Sequence, residues 1–366
     1  MPSDAPPVTI YVVFFFFCLL FSVLINGLFL RFSKTLGIRN TEETIIRWGS
    51  QSKPAFGGIA FFIIFLLSTA CYAIFFNKEN LIHDGQFLGI LSATTLAFLM
   101  GLADDAYNTR PWLKFGVQIV CGVLLTSSGI TIQWFSQEMP NHLLTVFWVV
   151  GMMNSINMLD NMDAITTTVA ISVVTLALSI MVVTGQIQHL HLMWLLGVLS
   201  ALLGFLYYNW NPSKMYMGDT GSQFLGIFLA AIGIVFLWNH NLEAGLPGQR
   251  LIMTLMAFLL PVSDTTIVFI NRLSKRRSPF IGGRDHTTHH LVYLGLKDHH
   301  VAVLFWSIST ISLILVVLLV SGRMAWNGIC GALLTTFVVG TFVTLLTITR
   351  RTHEPRHEKS KDVEKD

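Results

Sequence analysis

The sequence predicts an all-α, polytopic integral membrane protein with about eleven transmembrane helices, an outside N-terminus and a cytoplasmic C-terminus. Three observations carry that prediction. First, 53% of the residues are apolar and 12% charged, with mean hydropathy +0.64, which leaves too little polar surface for a soluble chain of 366 residues. Second, apolar runs of roughly 17 to 23 residues recur, each long enough to cross a hydrocarbon core about 30 Å thick. Runs such as Tyr11 to Leu20 and Leu313 to Val320 are apolar on every face, where barrel strands would alternate. Third, with the N-terminus outside, Lys78, Arg250 and Arg323 are the basic residues on the outer side out of 23, so the remaining 20 (23 − 3) mark the cytoplasmic face.

The runs follow in order. Residues 9–30 exceed a signal-peptide core and follow a stretch, Met1 to Pro7, whose one charged side chain is Asp4, so this run is expected to be retained. Span two, 55–76, is entered through Lys53-Pro-Ala-Phe-Gly57-Gly58, a glycine pair suited to close helix packing. Spans three and four, 86–103 and 113–129, flank an acidic pair, and span five, 142–158, runs into a second polar cluster. Spans six to eight cover 164–184, 190–209 and 221–237. Span nine, 250–270, holds Asp264, which needs a partner or a wet cavity at that depth. Spans ten and eleven cover 301–321 and 327–348. With no linker and no internal repeat, residues 1–349 read as one membrane domain, and 350–366 as a charged, disordered cytoplasmic tail. Cys18, Cys71, Cys121 and Cys330 lie inside apolar runs without paired spacing and are expected to pack as small hydrophobes. A formal net charge of +3 argues against a nucleic-acid partner.

The carboxylates then fall where they matter. Asp104, Asp105, Asp160, Asp163 and Asp219 all sit at cytoplasmic helix ends, although the topology used Lys and Arg alone. Gly101-Leu-Ala-Asp104-Asp105-Ala-Tyr107 places two carboxylates side by side, a repulsion that a cation relieves. A solvated helix end is the plain alternative. Lys114 and Gln118 lie i, i+4 on the next helix, positioned for an anionic headgroup or, for the lysine, simple snorkelling. Asn154-Ser-Ile-Asn157-Met-Leu-Asp160-Asn161-Met-Asp163 presents oxygen donors at i, i+3 and i+6, a set that suits Mg²⁺ with water and phosphate oxygens completing the shell. Asn209-Trp-Asn-Pro212-Ser-Lys214-Met-Tyr-Met-Gly218-Asp219-Thr-Gly-Ser222 opens a helix whose amides can approach a phosphate, with a capped helix start as the plain reading. The longest cytoplasmic loop carries Arg272, Lys275, Arg276 and Arg277, suited to membrane anchoring, then Gly282-Gly-Arg284-Asp285-His286-Thr-Thr-His289-His290. His286, His289 and His290 share a helical face; diphosphate contact is favoured over zinc beside phosphate chemistry.

That ordered set of motifs, over about residues 53 to 290, resembles the polyprenyl-phosphate N-acetylhexosamine-1-phosphate transferase superfamily. The resemblance implies a Mg²⁺-dependent transfer, with Mn²⁺ as an alternative metal, of an N-acetylhexosamine 1-phosphate from a UDP-sugar to undecaprenyl phosphate in the bacterial inner membrane. It implies Asn157 and Asp219 as metal ligands and Asp104, Asp105 and Asp160 as the catalytic carboxylates. Asp163 would face the uridine, Lys114 the acceptor phosphate, and Arg284, His286, His289 and His290 the donor diphosphate; Asn209 and Lys214 fall in the same substrate-binding set. Membrane lipids are implied as partners, and a homodimer is compatible with the sequence.

Two departures bear on the branch. Family members commonly read Asp-Gly-x-Asp-Gly where this chain has Asp160-Asn161-Met-Asp163-Ala164, and the histidine loop lacks three consecutive histidines. The second favours the branch that starts polysaccharide or teichoic-acid synthesis over phospho-N-acetylmuramoyl-pentapeptide transfer. A transporter would place its polar residues near the midplane rather than at one face, and the compact motif of a CDP-alcohol phosphotransferase is not visible.

Overall fold

The computed structural model describes residues 8–33, 53–76, 81–241, 246–278 and 283–352. Most of the expected tail, 353–366, and part of the basic loop, 279–282, lie outside them. Among the described residues the chain forms thirteen α-helices and one isolated parallel bridge, Ala55 to Tyr216. Nine helices are long and apolar enough to cross a bilayer: α1 (Val8–Ser33), α2 (Gly57–Phe75), α3 (Gly85–Tyr107), α5 (Glu138–Leu159), α6 (Ile165–Thr184), α7 (His189–Asn209), α8 (Gly218–Gly233, continued by a π turn at Ile234–Trp238), α12 (Asp298–Val320) and α13 (Gly328–Arg351). Between α3 and α5 lies a shorter apolar helix, α4 (Pro111–Ser127).

The continuous span expected over 250–270 is instead broken. α9 (Pro247–Ala257) and α10 (Leu259–Ser274) meet at Phe258 with a 79° bend. Pro261 accounts for it: proline offers no amide hydrogen to the Ala257 carbonyl, and its ring collides with that carbonyl in a straight helix. The bend turns α10 toward α11 (Thr287–Tyr293), a short helix in the basic loop.

α8 is the axis of the bundle. Its most apolar window is 89% buried, against 17% for α1 and α13, so α8 is enclosed by protein neighbours while the outer pair presents apolar side chains outward. α2, α3 and α5 pack directly on α8. The approach is close enough to require glycine: a Cβ at Gly58 would lie 2.1 Å from the Gly221 amide nitrogen, and one at Gly101 2.3 Å from the Asp219 carbonyl oxygen. Of the paired glycines at the entry to α2, Gly58 therefore packs against the start of α8, while Gly57 packs against the Phe205 ring of α7. The Lys53–Gly58 segment also binds the segment before α8, with the Tyr216 amide donating to the Pro54 carbonyl at 2.9 Å and the Gly58 amide to the Met217 carbonyl at 3.0 Å. Cys18, Cys121 and Cys330 are buried, and none of the four cysteines is bridged.

Candidate active site

The site begins with a turn. α3 ends with Asn108 in the left-handed region at φ 52° as its C-cap, and α4 restarts at Pro111, where proline's missing donor costs nothing. Asp104 closes this turn by accepting at Oδ1 from the Thr109 amide at 2.8 Å and the Thr109 hydroxyl at 2.6 Å. Its other oxygen faces Lys114 in the first turn of α4. The Lys114 ammonium lies 2.9 Å from Asp104 Oδ2, 2.9 Å from Asp219 Oδ1 and 3.5 Å from Asn157 Oδ1. Asn157 in turn donates to Asp219 Oδ1 and to the Ser222 hydroxyl, the latter at 2.8 Å. Four helices thus converge four of the predicted residues, Asp104, Lys114, Asn157 and Asp219. The Asp219 side chain is 33% exposed, against 12% for Asp104 and 16% for Lys114. Asp219 is the most accessible of the three.

Asp105 turns elsewhere. A residue further along α3 it faces the start of α8, accepting from the Asp219 amide at 2.9 Å, the Thr220 amide at 2.9 Å and the Thr220 hydroxyl at 2.6 Å. It is an N-terminal cap supplied by another helix, satisfying amides that α8 cannot pair internally. It holds Asp219 rather than facing the cluster.

Asp163 and Asn209 form a brace. Asp163 accepts from the Ser213 amide at 2.9 Å, the Ser213 hydroxyl at 2.7 Å and the Asn211 side-chain amide at 3.0 Å, with Lys53 at 3.6 Å. Buried Asn209 accepts from the Ala164 amide at 3.1 Å and the Thr167 hydroxyl at 2.7 Å, and donates to the Met215 carbonyl at 3.1 Å. Together they tie the start of α6 to the segment before α8. Asp160 is the C-cap of α5, its amide donating to the Asn157 carbonyl at 3.3 Å. Lys214 is exposed, its ammonium 5.8 Å from the centre of the Tyr207 ring.

The histidines separate on folding instead of sharing one helical face. His286 precedes α11 and places Nδ1 2.8 Å from Asp264 Oδ2, while the Thr287 amide and hydroxyl bond the other oxygen at 2.8 and 2.6 Å. Asp264, fully buried in α10, has thereby found the partner its depth required. His290 Nδ1 lies 2.6 Å from the Thr352 hydroxyl. His289 packs edge-on to His286 at 5.4 Å. Burial, aided by His286, pushes the His289 ring down to about 3, so it is neutral at pH 7, with its one N–H proton on a single ring nitrogen. The Arg284 carbonyl accepts from Tyr293 at 3.1 Å. Nearby, Arg272 grips Asp285 with two bonds of 2.8 and 2.6 Å. Burial pushes the Asp285 carboxyl up, but those bonds outweigh it and hold it below the usual carboxylate range. The Thr288 hydroxyl joins this shelf to the loop after α5 through Asn161 Oδ1, at 2.6 Å.

The convergent cluster has the donors a hard cation needs. Asp104, Asp219 and Asn157 supply oxygens, and the Lys114 ammonium already sits among them as a cation. Two carboxylates and an amide fit Mg²⁺, which keeps water and phosphate oxygens in its shell. Among the described residues no three His, Cys, Asp or Glu side chains gather as a metal cage. Thr109, Ser222 and Lys53 join the site only in the fold; Ser222 has a sequence signal, three residues beyond Asp219, whereas a lone Thr after a helix has none.

Residues 87–237 match the family model described as glycosyl transferase family 4. The chain is also 31% identical to a phospho-N-acetylmuramoyl-pentapeptide-transferase of Streptococcus uberis over 59% of this chain and 70% of that one. This chain belongs to glycosyl transferase family 4. It is 27% identical to a probable undecaprenyl-phosphate N-acetylglucosaminyl 1-phosphate transferase of Bacillus subtilis, over 69% of this chain and 68% of the relative. A phospho-N-acetylmuramoyl-pentapeptide-transferase of Staphylococcus saprophyticus is 28% identical over 71% and 82%. The family 4 match contains the whole convergent cluster, from Asp104 to Asp219, whereas the histidine shelf lies beyond its end.

Proposed function

We propose that the protein transfers an N-acetylhexosamine 1-phosphate from a UDP-sugar to undecaprenyl phosphate, releasing UMP and forming a lipid-linked diphosphosugar. The observation that carries this reading is the meeting of Lys114, Asp104, Asn157 and Asp219 at one end of the bundle in a family 4 chain. In this reading the cluster faces the cytoplasm from a bacterial inner membrane, with eleven spans and the N-terminus outside, an orientation that the positive-inside bias supports.

An oxygen of the lipid phosphate attacks the sugar-linked phosphorus; a new P–O bond forms and the bond to UMP breaks. A phosphate monoester with second pKa near 6 is largely ionised at neutral pH, so no dedicated base is required. The chain's part is positioning and charge stabilisation. Lys114 offers its ammonium to phosphate oxygens, and Asp104, locked by Thr109, aims it. Asp219 and Asn157 would hold Mg²⁺, which neutralises charge on the donor diphosphate when bound. Asp105 has both oxygens engaged by the α8 amides and Asp104 both of its own by Thr109 and Lys114, which favours direct displacement over an aspartyl-phosphate intermediate. On the outer face of α4, Trp112, Leu113, Val120 and Val123 are exposed, an apolar flank along which the prenyl tail stays in lipid.

The second reading, transfer of phospho-N-acetylmuramoyl-pentapeptide, is favoured by the names of the relatives at 28 and 31% identity. One experiment separates the two. Purified protein with Mg²⁺ and undecaprenyl phosphate receives UDP-GlcNAc, UDP-GalNAc or UDP-MurNAc-pentapeptide, with Asp219→Ala alongside. Acceptor-dependent UMP release with an N-acetylhexosamine donor, lost in the variant, is the expected result. Release with the pentapeptide donor alone would replace the first reading by the second.

A further inference from the structure

One helical turn below the charged cluster, three of its four helices repeat their meeting with uncharged groups. Gln118 follows Lys114 by four residues on α4, Asn154 precedes Asn157 by three on α5, and Gln223 follows Asp219 by four on α8, so each amide shares a helix face with a cluster residue. Asn154 Nδ2 donates to Gln118 Oε1 at 2.7 Å, and Gln118 Nε2 returns a bond to Asn154 Oδ1 at 3.4 Å and reaches Gln223 Oε1 at 3.1 Å. Gln118 is 1% exposed and Gln223 fully buried, so Gln118 does not reach a headgroup as its sequence position suggested.

Three primary amides inside an apolar bundle are expensive to bury, and apolar side chains of the same shape would pack there at lower cost. The layer is not even saturated: Gln223 Nε2 has no partner among the described residues. What it does supply is register. An apolar contact tolerates small helix rotations and slides, whereas a reciprocal amide pair extended to a third amide holds at one rotation and one height.

We infer that Gln118, Asn154 and Gln223 are positioning residues, a hydrogen-bonded layer that sets the rotation and height of α4, α5 and α8 so that Lys114, Asn157 and Asp219 meet. The inference rests on the transferase reading above. Misplacing reacting groups by about 1 Å can cost on the order of a hundredfold in rate, so the layer acts on kcat.

The test uses full-length protein in detergent, following acceptor-dependent UMP release and thermal unfolding together. Gln118→Leu is expected to lower kcat by about 10- to 100-fold while donor KM stays within about threefold and the unfolding midpoint holds. Gln223→Met, which removes one bond and leaves the Gln118–Asn154 pair, loses less and keeps the question answerable should Gln118→Leu not fold. The exchange of Gln118→Asn with Asn154→Gln preserves an amide pair of the same combined length and is expected to recover kcat to within about threefold of wild type. Wild-type kcat in folded Gln118→Leu or folded Gln223→Met would overturn the inference, as would a loss that the exchange leaves unrecovered or that tracks the loss of folded protein. Wild-type protein that releases no UMP would instead sink the transferase reading.

Discussion

The charged cluster and the histidine shelf both set a carboxylate against a basic side chain, yet they are built in opposite ways. In the cluster, Lys114 is shared between two carboxylates from different helices, and Asp219 keeps a third of its side-chain surface open. In the shelf, Asp264 is fully buried and accepts three bonds, from His286 and from the Thr287 amide and hydroxyl. An open, shared charge can exchange its partners for a ligand at little cost. A saturated, buried one cannot, and what it offers is a fixed geometry for the loop around it. The Thr288 hydroxyl joins the two through Asn161, on the loop that follows Asn157. On the proposed reading, ligand exchange belongs to the cluster and loop placement to the shelf.

The largest expected effect breaks the comparison on the cluster side. Lys114→Met should lower kcat/KM by about a thousandfold or more, because an ammonium aimed at developing phosphate charge is lost, while the folded fraction stays close to wild type because the group is held at a partly open site. UMP release and a melting curve on the same preparation check both halves. Activity above a tenth of wild type would remove Lys114 from the chemistry. On the shelf side, Asp264→Ala should cost about 3 to 5 kcal/mol of stability by leaving His286 and Thr287 without their partner. A melting curve unchanged from wild type would show that the shelf does not hold the loop.

A smaller effect sharpens the contrast through pH. The folded His289 ring titrates near 3, below its unfolded value of about 6.5, so below that unfolded value the unfolded chain takes up a proton that the folded chain refuses. Its contribution to stability is full above about pH 6.5 and is lost as pH falls toward 3. Asp285, held low by Arg272, has the same sign but acts below the ordinary carboxylate range. The melting temperature should therefore fall between pH 6.5 and 5, and His289→Phe should flatten that slope by about one proton, or about 1.4 kcal/mol per pH unit. An unchanged slope would place the acid sensitivity elsewhere.

Much of this was legible because charge is rare in an apolar chain. Asp104, Asn157, Asp219 and Lys114 stood out at helix ends and meet there in the fold. Asp104 and Asp105 show where legibility stops: successive helical positions point about 100° apart, so two identical neighbours acquire different partners, and the one that caps α8 does so from 114 residues away. The bend at Phe258 had a visible sign in Pro261, but membrane helices often tolerate proline because neighbours satisfy the freed carbonyl. The histidines read as one face until Asp264, on another helix, claims His286 and sets where α11 begins.

Ala164 carries the smallest expected effect and the finest test of how the loop between the two regions is held. It stands at φ 65° in the left-handed region at the start of α6, where the resembling family has glycine. For a residue with a Cβ that conformation costs roughly 1 to 2 kcal/mol. Two terms oppose a return to glycine: the unfolded chain gains about 0.4 to 1 kcal/mol of conformational freedom, and the methyl group of a residue that is 1% exposed contributes about 0.8 kcal/mol. The terms nearly cancel, which is how the chain keeps an alanine in a glycine conformation. The bonds around it do the holding: its amide donates to Asn209 at 3.1 Å and its carbonyl accepts from Thr168. Ala164→Gly should accordingly move the melting temperature by no more than about 2 °C and leave UMP release unchanged. A stabilisation well above about 1 kcal/mol would mean that the methyl packs poorly and that the strain is carried by the fold. A loss of activity at unchanged stability would mean that the loop bearing Asp160 and Asp163 is tuned by this residue, and would tie the brace to the chemistry.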